Sequence, residues 1–412
     1  MKTAILHYSV SPVIGGVEAV IQAQSDQFVK AGFQVTLLAG RGEKSNLPSG
    51  VDFIRVPEID SMHPEILSSR QELNRGIIPK SFEELRERIY STLKPLISEF
   101  DNLIVHNIMT KHFNLPLTAA LFKLIKNDFS GNTLIWCHDL SWSSPNSKNK
   151  VFESYPWDLL KTPIDGVKYI GISNQQKMAI MDTFNLRANQ VEVIGNGVDP
   201  EMLYALSAEG SVLIDRLNLL RAELIILMPV RITKAKNIEY ALHLLSVLIK
   251  KIPETRLVIT GPPDPHDQEN LEYYEYLLDL STSLGIQDQV IFIYRTNGSK
   301  EHGRILDFPV VADFYRIADI LFFPSWREGF GMPILEAGLL GLPIVAANIP
   351  AVKELASKDV YQFSLEMKPE VLAEEIIGWL AGKPEYRLRV RTRQNFTWQA
   401  LFWNKLYPLL QG

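Results

Sequence analysis

An α/β fold with two Rossmann-like parallel-sheet domains facing each other across a cleft is predicted by three observations. The chain has 412 residues, more than one ordinary hydrophobic core accommodates. Short apolar runs alternate with amphipathic segments along its length, the rhythm of crossover units in a parallel sheet. That rhythm breaks once, at the turn cluster Asn196-Gly197-Val198-Asp199-Pro200, and restarts at Leu224. Ligands of doubly wound sheets sit beyond the carboxyl ends of the strands, so two such domains define one cleft.

In the first half, strands are expected at Ala4–Tyr8, Val35–Ala39, Phe53–Val56, Leu103–His106, Leu134–Cys137, Tyr169–Ile172 and Val191–Ile194. Val17–Ala31 and Phe82–Glu99 carry helical periodicity. In the second half, strands are expected at Leu224–Val230, Leu257–Thr260, Val290–Tyr294, Ile320–Phe323 and Ile344–Ala346. Helical patterns at Ile238–Lys250, Asn270–Leu284 and Pro333–Leu340 separate them. The boundary falls near Gly195–Asp199, giving domains over 1–195 and 196–395. A terminal helix over about 396–412 carries Trp398, Phe402, Trp403 and Tyr407, and so much aromatic surface is expected to pack back onto the first domain.

The formal net charge is -5, without the basic surplus that a nucleic-acid binder carries. A single cysteine, Cys137, forms no internal disulfide and suits a reducing compartment. The amino terminus reads as a first strand rather than a signal peptide, and no run approaches the length of a spanning helix. A cytoplasmic protein is expected, with peripheral membrane contact left open.

The most informative segment is Phe323-Pro324-Ser325-Trp326-Arg327-Glu328-Gly329-Phe330-Gly331-Met332-Pro333-Ile334-Leu335-Glu336. It leaves a strand, passes a glycine-bearing loop and opens a helix near Pro333. Gly329 and Gly331 allow close backbone approach, and the helix start offers free N–H groups to a phosphate or sugar hydroxyl. Glu328 and Glu336, with seven residues between them, are carboxylates able to accept from sugar hydroxyls, and Glu336 is expected in the first helical turn. Arg231 and Lys236 follow the strand Leu224–Val230, where two cations can neutralise an anionic group or stand as solvated surface charges. Gly15-Gly16 forms a second glycine turn before a helix, without the spacing of the dinucleotide fingerprint.

Together, in this order, the segments resemble family 4 of the retaining glycosyltransferases, which have the GT-B fold and a Glu-x7-Glu signature. The resemblance covers nearly the whole chain. It includes Gly15-Gly16-Val17-Glu18, Gly195-Asn196-Gly197-Val198-Asp199, Pro229-Val230-Arg231 with Lys236-Asn237, and Ala318-Asp319. It implies that Glu328 contacts the transferred sugar and Glu336 the ribose. It also implies that Gly329, Phe330 and Gly331 bind sugar and phosphate through their backbone. Gly15 and Gly16 would approach the donor phosphate and the acceptor. His138, at the end of Leu134–Cys137, is expected near the transferred sugar. His106, Asn107, Lys111 and Asp139 lie where the resemblance places an acceptor.

The implied reaction moves a hexose from a nucleoside-diphosphate sugar, of GDP-mannose or UDP-glucose type, to an acceptor hydroxyl with retention. A compatible-solute precursor or another small soluble acceptor fits the modest basic content, and lipid or polysaccharide acceptors stay open. A sugar-nucleotide 2-epimerase is the alternative enzyme, and a sugar-binding protein without turnover a third reading. No cofactor or metal is expected, because Arg231 and Lys236 can supply the positive charge. Two departures bear on the donor: Tyr294 stands where many relatives have glycine, and the polar stretch Arg295–Asp307 could touch the base. Thr260-Gly261-Pro262-Pro263-Asp264-Pro265-His266 reads as a stiff loop without an assigned role.

Overall fold

The computed structural model describes residues 1–263, 268–296 and 304–411. Asp264–His266 of the proline-rich loop and 297–303 of the polar stretch lie outside the described residues. The chain divides into two compact units, Met1–Val198 with Trp398–Gly412, and Asp199–Thr397.

The first unit holds seven strands: β1 Lys2–Ser9, β2 Gln34–Arg41, β3 Asp52–Arg55, β4 Asn102–His106, β5 Asn132–Cys137, β6 Lys168–Gly171 and β7 Val191–Val193. Their order is β3-β2-β1-β4-β5-β6-β7, with every pair parallel. β1 and β4 are nearly continuous buried runs, as strands covered by helices on both faces must be. The edge strand β3 is short, with Asp52 and Arg55 exposed at its ends.

Helix Gly16–Lys30 buries Val20, Ile21, Gln24 and Phe28 against this sheet. The terminal segment Trp398–Leu410 packs on the same unit: Phe402 meets Phe28 edge-on at 5.1 Å and Tyr407 stacks on Phe33 at 5.5 Å. Asn132 Nδ2 donates to the carbonyl of Leu409 at 2.7 Å. Gly197 is required here, since a Cβ would stand 2.6 Å from the Trp398 ring.

The second unit holds β8 Leu224–Met228, β9 Thr255–Ile259, β10 Val290–Phe292, β11 Ile320–Phe323, β12 Ile344–Ala347 and β13 Tyr361–Phe363. Their order is β10-β9-β8-β11-β12-β13, again all parallel. β8 stops before Pro229, which has no N–H for a ladder. β10 is shorter than the apolar run Val290–Tyr294, because Ile293–Arg295 turns into a single 3₁₀ turn.

At the amino ends of β8 and β11, Asp319 is fully buried and accepts from Arg393 Nη1 at 3.0 Å, Arg393 Nη2 at 2.7 Å and Ile225 N–H at 2.8 Å. Arg393 also donates through Nε to the carbonyl of Ala222 at 3.0 Å. The helix Pro384–Asn395 is thereby tied to the two central strands. Among the described residues no helix is long and apolar enough to cross a membrane.

Candidate functional site

In each sheet the chain reverses its winding between the two central strands, β1/β4 and β8/β11, which opens a crevice at their carboxyl ends. In the second unit the loops after β8 and β11 are bound to each other. Trp326 N–H donates to the carbonyl of Ala235 at 2.9 Å, and Asn237 Nδ2 to the carbonyl of Pro324 at 3.1 Å. Asn237 takes a left-handed conformation, φ 53°, which an asparagine tolerates.

This docking brings Lys236 and Glu328 together, 92 residues apart in sequence: Nζ lies 2.7 Å from Oε1 and 2.8 Å from Oε2. The carboxylate side chain is 9% exposed and the lysine 21%. Arg231 is exposed beside them in sequence, where Ile232 bridges Pro263. Gly261 is dictated by close approach, since a Cβ would stand 2.2 Å from the carbonyl of Val230.

Gly331 has φ 102°, open to glycine and strained for other residues, and caps the helix Met332–Leu339. A Cβ on Gly329 would meet nothing within 4 Å, and Phe330 is half exposed. The loop is therefore open at Gly329, beside the amino terminus of the helix. Glu336 corrects the sequence expectation: it lies in the second turn of Met332–Leu339, because the helix begins at Met332. Its carboxylate accepts from the Tyr315 hydroxyl, a partner on the helix Phe308–Ile317.

In the first unit, the crevice at the ends of β1, β4 and β5 gathers three histidines. His7 Nδ1 lies 3.0 Å from the carbonyl of His106. His106 Nε2 lies 3.1 Å from Gln24 Oε1, and His106 Nδ1 lies 3.0 Å from His138 Nε2. The His106 ring stacks on Trp136 at 5.2 Å. His106 is fully buried with both ring nitrogens engaged, so it cannot itself touch an acceptor. Asn107 is likewise committed: with φ 59°, its Oδ1 accepts from the N–H groups of His138 at 2.8 Å and Asp139 at 3.0 Å. Both residues of the expected acceptor side thus make contacts within the unit, and the reason is the same for both. A polar group at a buried strand end serves the backbone or its neighbours first.

Lys111 is buried with its ammonium 4.9 Å over the Phe113 ring, and Asp139 is exposed. Glu18 folds back over Gly15, and its Oε2 would stand 2.1 Å from a Cβ there. Glu18 Oε1 accepts from the Ser9 hydroxyl at 2.6 Å. A Cβ on Gly16, by contrast, would meet nothing within 4 Å, so the open face of this turn belongs to Gly16.

His7, Ser9 and Gln24 had no site role in the sequence reading, and Glu18 entered it only within the segment Gly15-Gly16-Val17-Glu18. The available signal was Gln24, a polar residue between Val20 and Phe28 on an apolar helix stripe.

Burial holds His7 and His106 below the ordinary histidine range and pushes His138 and His112 down to about 4. All four rings are neutral at pH 7. A depressed folded value means that the unfolded chain takes up protons first as pH falls. The stability is complete above about 6.5 and is lost between about 6.5 and 4. Each histidine shifted to about 4 contributes on the order of 3 kcal/mol. The thermal midpoint is expected to fall across this window, and His112→Gln is expected to flatten the fall. An unchanged pH slope in that variant contradicts the assignment.

Two family models match the chain, Glycosyltransferase Family 4 over residues 14–202 and Glycosyl transferases group 1 over residues 214–396. The chain is 29% identical over 203 residues to an uncharacterized glycosyltransferase of Methanocaldococcus jannaschii, covering 48% of this chain and 46% of that one. It thus spans about half the length of this relative. It is 23% identical over 367 residues to the mannosylglucosylglycerate synthase of Petrotoga mobilis, covering 83% and 77%. The solved structure of Anabaena HepE in complex with UDP superposes with a TM-score of 0.36 at 18% identity, covering 100% of both chains.

Proposed function

The chain belongs to glycosyltransferase family 4, and from that premise we propose that it is a retaining hexosyltransferase. It takes a nucleoside-diphosphate sugar, of GDP-mannose or UDP-glucose type, and delivers the hexose to the hydroxyl of a small soluble acceptor. The observation that carries this reading is the Lys236–Glu328 pair at the carboxyl ends of β8 and β11, beside the glycine-capped helix Met332–Leu339.

In this reading the diphosphate lies against Lys236, Arg231 and the N–H groups of Gly329–Met332. The cations stabilise the charge that grows on the departing phosphate, the task a metal performs in other enzymes. Glu328 accepts from hydroxyls of the hexose and Glu336 from the ribose. Gly16 and His138 serve the first unit's side of the reaction, with His138 at a sugar hydroxyl. The bond from the anomeric carbon to the phosphate oxygen breaks, and its electron pair leaves with the diphosphate. The acceptor oxygen bonds to the same face of the carbon, and its proton passes to the leaving phosphate.

A small acceptor such as a compatible-solute precursor draws support from the Petrotoga relative, which is named as a mannosylglucosylglycerate synthase. Lipid or polysaccharide acceptors are separate arms of the same assay, as is epimerisation, which consumes donor without any acceptor. The test incubates each nucleotide sugar with each acceptor class and reads the anomeric configuration of the product by NMR. Inversion at the anomeric carbon overturns retention, and an epimerised donor without transfer overturns the transferase reading.

The two glutamates are expected to fail differently. Glu328→Gln keeps the shape but loses charge and acceptor capacity at the sugar, so kcat falls more than donor affinity. Glu336→Gln loses an acceptor for the ribose, which the sugar nucleotide and free diphosphate share, so both bind more weakly. Calorimetry with both ligands, beside initial rates, reads the difference. Equal weakening of the free diphosphate in the two variants contradicts the division.

A further inference from the structure

His138 is held at three points, two on its backbone and one on its ring. Its backbone N–H donates to Asn107 Oδ1 at 2.8 Å, and its carbonyl accepts from Gln176 Nε2 at 2.7 Å. Its Nε2 lies 3.0 Å from Nδ1 of His106, a residue with no exposed surface. Behind His106 stands Gln24, 4% exposed, whose Oε1 lies 3.1 Å from His106 Nε2.

The order of hydrogens along this row follows from valence. A carbonyl oxygen only accepts, so His106 Nε2 carries the hydrogen directed at Gln24. A neutral imidazole carries one, so His106 Nδ1 is a lone pair. It faces His138 Nε2, which must then carry the hydrogen between the two rings. His138 is left with a lone pair on Nδ1, which makes no hydrogen bond to the described residues. Neutrality is imposed by crowding: His7 donates to the carbonyl of His106 from the other side, and a charge on one ring opposes a charge on the next.

We propose that Gln24 and His106 are positioning residues that fix His138 as its Nε2–H tautomer, so that it meets its ligand as a hydrogen-bond acceptor. The group recognised is accordingly a donor, a sugar hydroxyl, and not a phosphate or carbonyl oxygen. The hydroxyl's assignment rests on the proposed transferase reading, whereas the tautomer does not. Gln24 Nε2 is buried without a partner among the described residues. Turning the amide over would aim that nitrogen at His106 and reverse every hydrogen in the row, and the two orders have different spectra.

The test is a long-range ¹H–¹⁵N correlation spectrum of the full chain labelled at its eight histidines, with His138 assigned by its loss in His138→Ala. The expected pattern has the hydrogen on His138 Nε2 at pH 7.5. Asparagine places an oxygen near the position of a histidine Nδ1, so His106→Asn is expected to keep this pattern. His106→Leu is expected to mix the tautomers and lower kcat about 10- to 100-fold with donor KM changed less. Recovery to within a few-fold in His106→Asn separates positioning from mere packing. A hydrogen on His138 Nδ1 in the unmodified protein overturns the proposal without activity being measured. Full turnover in folded His138→Ala instead overturns the sugar contact, leaving the tautomer as read.

Discussion

Lys236→Ala is expected to lower kcat about 100- to 1,000-fold in a chain that remains folded, a loss of about 3 to 4 kcal/mol of transition-state stabilisation. Two effects combine. The first is direct, since the ammonium at the end of β8 is proposed to meet the charge that develops on the leaving diphosphate. The second acts through Glu328. With Nζ gone from 2.7 Å and 2.8 Å, a carboxylate side chain only 9% exposed loses this charged partner. Such a group moves toward water, and that movement misplaces its oxygens for the sugar.

The effects separate in a double-mutant cycle with Glu328→Gln. If Lys236 works mainly by holding Glu328, the double variant is little worse than either single one. If it also neutralises phosphate, the free nucleoside diphosphate binds more weakly to Lys236→Ala than to Glu328→Gln. Near-normal kcat in folded Lys236→Ala removes it from the site.

What the sequence reveals here depends on how local the signal is. The strands β1, β4, β5, β8 and β11 are legible because both faces are buried, so their apolar runs are continuous and bounded by turns. The helix Leu115–Asn127 was missed because its first two turns, Leu115 through Leu121, are wholly buried, and its charged residues come only toward the end. β13 was missed because three residues, with only Phe363 buried, leave no pattern to count. In the site, the loop-to-helix step was legible from Pro333 and the two glycines, although the helix begins one residue earlier, at Met332. The encounter of Lys236 with Glu328 was not foreseen, because spacing along the chain does not say which loops dock. The closure of His106 on Gln24 is hidden for a related reason. A histidine at a strand end looks the same in sequence whether it faces ligand or closes on Gln24.

The same limit applies to Arg393, and the variant Arg393→Met is expected to destabilise the second unit by about 3 kcal/mol. In the sequence it is one of four arginines in Arg387–Arg393, an unremarkable basic stretch on the helix Pro384–Asn395. In the fold it is 5% exposed, and its guanidinium forks onto an Asp319 carboxylate with no exposed surface. Removing the guanidinium strands that carboxylate with the Ile225 N–H and the more distant Arg389, whose Nε lies 3.7 Å away. It also strips a donor from the carbonyls of Ala222 and Glu223.

The cost therefore comes mainly from what is left behind, which gives the test its second arm. Arg393→Met with Asp319→Leu removes both charges, and the pair is expected to recover more than half of the lost stability. Urea unfolding of the full chain, followed at several wavelengths because two units need not unfold together, reads both variants. A loss below about 1 kcal/mol in the single variant, or no recovery in the double one, contradicts the account. The consequence reaches the chemistry because Asp319 anchors the amino ends of β8 and β11. The carboxyl ends of the same strands carry Lys236 and Glu328, so loosening the anchor is expected to reduce kcat before the unit unfolds.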